Sequence, residues 1–102
     1  MPAELSNEAY SIYLVCCRDG TLYTGIATDV ARRLAEHEGG SKGAKYLRGR
    51  GPLTLVFERR IGDRGLAQHI ESRVKRLPRC DKADSRRLGF LIDEFLAESS
   101  DQ

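Results

Sequence analysis

Two short runs rich in β-branched, aromatic and aliphatic residues, Tyr10 to Arg18 and Leu22 to Ala27, are separated by Asp19-Gly20. That dipeptide between such runs marks a β-hairpin. The loop length decides which side chains share a face. A two-residue loop pairs Arg18 with Thr21 and sends Tyr13 and Tyr23 to opposite faces. A three-residue loop of Arg18, Asp19 and Gly20, with Gly20 left-handed in a bulge, pairs Cys17 with Thr21 and puts both tyrosines on one face. The shorter loop is the commoner one, but a site shared by the two tyrosines requires the longer, which is the register expected here.

Thr28 or Asp29 can cap a helix that runs to about Glu38, where Gly39-Gly40 stops it. Val30 and Leu34 define its apolar line, His37 lies close to that line, and Arg33 sits at its border while Arg32 points away. Arg33 and His37 are one turn apart, so they project together. Two tyrosines, an arginine and a histidine suit phosphodiester hydrolysis, which needs water activated and phosphate charge neutralised.

Beyond the helix, residues 39–52 form a glycine-rich stretch with Lys42, Lys45, Arg48 and Arg50, no acid, and Tyr46 in the middle. No glycine there is followed by Lys and then Ser or Thr, so it is not a Walker loop. Leu53 to Arg60 reads as a third strand with Leu53, Leu55 and Phe57 on one face. Asp63 can cap a helix over about Gly65 to Leu77, with Leu66, Ala67, Ile70, Val74 and Leu77 on one arc and Glu71 just outside it. His69 faces away from that arc and reads as an ordinary surface residue. Pro78 ends the helix, and Asp81 or Asp84 begins another that carries Leu88, Leu91, Ile92 and Phe95 inward.

A chain of 102 residues, 40% of them hydrophobic, supports one core. The expected organisation is a polar segment over 1–9, a single domain over 10–97 and a frayed tail over 98–102. The net charge of +2 conceals a polarity: residues 29–92 hold 16 Lys/Arg against 8 Asp/Glu, while residues 1–28 and 93–102 are net acidic. A basic middle favours a polyanionic partner, although mixed surface charge is common in any soluble domain. Cys16, Cys17 and Cys80 are odd in number and lack zinc spacing, so they read as small core residues. No apolar run approaches the roughly 18 residues of a membrane helix, and the start lacks a basic-then-apolar pattern, so a cytoplasmic protein is expected.

These residues resemble the GIY-YIG nuclease domain, most nearly the small bacterial stand-alone, YhbQ-like type. The likeness runs from about residue 10 to 88 and includes Ser11-Ile12-Tyr13, Tyr23-Thr24-Gly25, residues 43–51 and the stretch from Gly62 to Leu77. It implies an α+β fold, a three-stranded antiparallel sheet flanked by helices, and a DNA endonuclease assisted by one Mg²⁺ or Mn²⁺. The family's tyrosines fall on Tyr13 and Tyr23, its helix arginine on Arg33, its histidine on His37 and its metal-binding glutamate on Glu71. The chain departs from the pattern at Ser11 and Thr24, carries Ile26 where some relatives have lysine, and has no clear counterpart of an asparagine near the C-terminal part of the domain.

The resemblance changes the weight of each residue. A lone strand tyrosine more often packs in a core, a lone helix arginine covers a surface, and Glu71 alone would pair with Lys75 at i+4. In the family setting Tyr13 activates water, Tyr23 and His37 position the water or relay its proton, Arg33 receives the phosphate and Glu71 holds the metal. Lys42, Lys45, Arg48 and Arg50 then contact the nucleic-acid backbone, with Tyr46 available to stack on a base. DNA is the expected partner, with RNA left open, and recognition is expected of shape or single strands rather than of a long sequence. The alternative is a binding module that keeps the fold without cleaving; retention of all five functional side chains favours the enzyme.

Overall fold

The computed structural model of the chain describes residues 9–39 and 52–100. Strands β1 (Tyr10–Cys16) and β2 (Leu22–Ala27) lead into helix α1 (Val30–Gly39); strand β3 (Thr54–Gly62) follows, then helices α2 (Arg64–Lys75), α3 (Arg79–Ala83) and α4 (Ser85–Ser100). The strands form an antiparallel sheet in the order β2-β1-β3, so β1 is central.

The hairpin closes through the three-residue loop. Cys17 N–H donates to Thr21 O at 2.8 Å, Gly20 N–H donates to Cys17 O at 2.9 Å, and Gly20 has φ +88°, the left-handed conformation the bulge needs. The resulting register pairs Tyr13 with Gly25 and Val15 with Tyr23, so both tyrosines lie on one face.

Because β1 is central, both of its faces are buried. Ile12 and Leu14 pack against Ile70 and Val74 of α2 and Leu88, Ile92 and Phe95 of α4. On the opposite face Tyr13, Val15 and Cys17 pack with Val30 and, partly, Leu34 of α1. The sheet is thus a middle layer with α1 on the tyrosine side. Asp29, not Thr28, caps α1: its Oδ1 accepts from Arg32 N–H at 3.1 Å. Asp63 caps α2 in the same way through Leu66 N–H at 2.9 Å.

Four sequence expectations are corrected. Strand β3 does not keep Leu53, Leu55 and Phe57 on one face: Leu14 pairs with Phe57 but Val15 with Leu55, so Val56 is an extra residue that resets the alternation. Phe57 packs in the α2/α4 core and Leu53 on the α1 side. Between α2 and α4 lies the unforeseen short helix α3, and it is Asp84, not Asp81, that caps α4, accepting from Arg86 and Arg87 N–H at 3.1 Å each. Helix α4 continues to Ser100, so Glu98, expected in a frayed tail, is helical and bonds Arg73 at 3.1 Å. Cys80 is exposed on α3 and Cys16 half-buried; only Cys17 lies in the core. Among the described residues no helix is long and apolar enough to cross a membrane.

Candidate active site

Tyr13 stands at the middle of the central strand, buried to 1% exposure, with its ring lying across the backbone of Gly25. A Cβ at position 25 would fall 2.6 Å from the Tyr13 Oη, so only glycine leaves room for the phenol there. The Tyr13 Oη is hydrogen-bonded to Nε2 of His37 at 3.0 Å. His37, 2% exposed, points from α1 onto the sheet, where Tyr23 meets its ring edge-on with centroids 6.0 Å apart. One helical turn earlier, Arg33 is half-exposed and bonds Glu36 Oε1 at 3.0 Å, while Glu36 also pairs with Arg32 at 3.4 Å.

The charges of this group act on one another. Tyr13 is pushed up to about 12, first by burial and then by Tyr23 and Glu71, while Arg33 pulls it down through its charge and a hydrogen bond. His37 is held below its usual 6.5, first by burial and then by Arg33, against an opposing pull from Glu36. Both partners of the buried hydrogen bond are therefore neutral near pH 7.

Glu71 lies on α2, which packs on the other face of the sheet, yet its carboxylate is close enough to perturb Tyr13. It is half-buried and pairs with Lys75 at 3.4 Å. Among the described residues no three metal-ligating side chains stand together. A cation at Glu71 would be held by one carboxylate, waters and substrate oxygens, a coordination that Mg²⁺ accepts, so the donor set fits.

The structure thus brings Tyr13, Tyr23, Arg33, His37 and Glu71 into one electrostatic neighbourhood, but not into one pocket. A cleft of about 250 Å³ is lined by Tyr10, Ala27, Asp29, Arg32, Arg33 and Glu36 among others, and of the five expected residues only Arg33 reaches it. Tyr13, Tyr23, His37 and Glu71 are not among its lining residues. Lys42, Lys45, Tyr46, Arg48 and Arg50 lie outside the described residues. Two further participants were not singled out from sequence. Glu36 was legible only as an acid three residues beyond Arg33, and the need for Gly25 depends on a ring contact across strands. Ile26 points away from the tyrosine side into the α2/α4 core, opposite Ile12.

Comparison with known proteins sets this geometry in context. The chain matches the GIY-YIG catalytic domain over residues 9–82. It is 54% identical over 78 residues to a UPF0213 protein of Yersinia pestis (strain Pestoides F), covering 76% of this chain and 81% of that protein, and equally so to one of Yersinia pseudotuberculosis (serotype O:3, strain YPIII). A solution NMR structure of a UPF0213 protein from Bacillus halodurans is similar with a TM-score of 0.48 and 41% identity, covering 81% of this chain and 84% of that one.

Proposed function

The chain belongs to the GIY-YIG family, and from that premise we propose that it is a metal-dependent endonuclease that hydrolyses phosphodiester bonds in DNA, selecting nucleic-acid structure or single strands over a long sequence. The observation that carries the proposal is the buried Tyr13–His37 hydrogen bond beside Arg33. A tyrosine in a purely structural role needs no titratable base as its partner.

With Tyr13 pushed up to about 12, free phenolate is too scarce at neutral pH to act as the base. His37 held below 6.5 is, by contrast, neutral and able to accept. A proton relay follows. As the water oxygen bonds to phosphorus, its O–H bond breaks and the proton passes to Tyr13 Oη, while the phenol's own proton passes to His37 Nε2. The P–O bond to the leaving oxygen breaks in line, its electron pair departing with that oxygen, which takes a proton from solvent. Tyr23 packs against the imidazole and fixes its plane. Arg33, at the wall of the open cleft, offers its fork of donors to the phosphate oxygens as negative charge builds on them. Glu71 would hold Mg²⁺ or Mn²⁺, which when bound supplies further neutralisation of phosphate charge.

The relay is tested by single-turnover cleavage with Tyr13→Phe and His37→Gln. Both should cut at least about a hundredfold more slowly than wild type, the lower bound of the usual range for acid–base groups. Wild-type rates in both would remove the relay. Binding by the wild type without any cleavage under Mg²⁺ or Mn²⁺ would favour the binding-module alternative.

A further inference from the structure

The junction of α2, α3 and α4 carries six cations between Lys75 and Arg87, namely Lys75, Arg76, Arg79, Lys82, Arg86 and Arg87, against two carboxylates. Every nearby carboxylate already has a partner. Glu71 is taken by Lys75 at 3.4 Å, Asp81 by Arg87 at 3.4 Å, and Asp84 by the backbone N–H groups of Arg86 and Arg87. Among the described residues Arg76, Arg79, Lys82 and Arg86 therefore have no carboxylate within salt-bridge distance, and the three arginines are exposed.

Stability explains part of this cluster and not the rest. Lys75 and Arg76 sit at the C-terminal end of α2, where cations favour the helix dipole. Arg86 and Arg87 sit in the first turn of α4, the end where a cation is disfavoured. A bound polyanion would relieve that cost. The position is specific too. The patch begins at Lys75, four residues or about 6 Å of rise beyond Glu71, and α3 packs against β2, the strand of Tyr23.

From this placement we infer that Arg76, Arg79, Lys82 and Arg86 form a phosphate-binding track for the arm of nucleic acid that leaves the scissile site past Glu71. The inference rests on the nuclease reading for its direction, and it assigns to α3, whose side chains include none of the core, the task of presenting charge. The contacts are to backbone, so the track adds affinity without sequence preference.

The test is affinity against salt concentration, in chelator so that nothing is cut, for fluorescent duplex and single-stranded oligonucleotides. The variant is Arg76→Gln, Arg79→Gln, Lys82→Gln and Arg86→Gln combined. At about 0.7–0.9 counterions released per phosphate contact, the log–log slope should flatten by about three. A control lacking Arg18 and Arg64, two cations elsewhere on the chain, should keep the wild-type slope. An unchanged slope in the fourfold variant, equal flattening per charge in the control, or no wild-type binding at all overturns the inference. Cleavage by the wild type is scored separately: binding through the track without cleavage refutes the nuclease reading alone.

Discussion

Gly25→Ala converts the closest contact of the site into a quantitative experiment. The added Cβ would lie 2.6 Å from Tyr13 Oη and 2.7 Å from Cζ, so ring or strand must move by several tenths of an ångström. The ring cannot swing freely, because it is buried to 1% exposure and tied to His37 at 3.0 Å. Overpacking of this kind costs about 1–3 kcal/mol, from which the smaller chain entropy of unfolded alanine returns about 0.5 kcal/mol. The net loss should be about 1–2 kcal/mol by urea unfolding. Cleavage should suffer more, by about tenfold to a hundredfold, because displacing Tyr13 by several tenths of an ångström spoils both water contact and relay. Repeating the substitution in Tyr13→Leu, which lacks the contacted atoms, makes the two changes a double-mutant cycle. There Gly25→Ala should no longer destabilise. An equal cost in both backgrounds, or none in either, would refute the proposed contact.

Gly20→Ala meets no atom within 4 Å but forces alanine to φ +88°, so it should cost about 1–2 kcal/mol in unfolding while Gly20→Asn costs clearly less. Because His37 is held below 6.5 and must be unprotonated to accept, single-turnover cleavage should stay on its plateau as pH falls through 6.5 and decline only below it; a break at or above 6.5 contradicts the relay. The same shift has a stability consequence: the unfolded chain takes up the proton first, so folding stability should fall as pH drops from 6.5 through the depressed folded value, and His37→Gln should remove that dependence.

Local signals in the sequence carried the hairpin, the Asp63-capped helix and the inward face of α4, because each is decided by neighbouring residues. The bulged register became legible only by requiring Tyr13 and Tyr23 to share a face, since the Asp19-Gly20 pair alone suits the shorter loop. Strand β3 was misread at Val56 because a bulge is fixed by pairing with β1, not by β3's own alternation. Helix α3 escaped notice because five residues are too few to show a period, and Cys80 was misplaced with it. At the site, residue types and spacing pointed to Tyr13, Tyr23, Arg33 and His37, and the family resemblance to Glu71, whereas the depressed His37 and the raised Tyr13 arise from burial and approach across elements; the Arg33–Glu36 bond is an i,i+3 pair within α1.

The central claim is metal-dependent cleavage, and Glu71 tests it most directly because holding the cation is the one special role proposed for it. Binding in chelator and single-turnover cleavage with Mg²⁺ or Mn²⁺ should be measured for wild type, Glu71→Ala and Arg33→Ala. Loss of the partly exposed Glu71–Lys75 pair should cost only about 0.3–0.5 kcal/mol, so the Glu71 variant should fold and bind nearly as wild type does. Wild type should cut and neither variant should, with the Arg33 loss falling chiefly on the chemical step. Wild-type rates in both variants, or a wild type that binds and never cuts, would contradict the account.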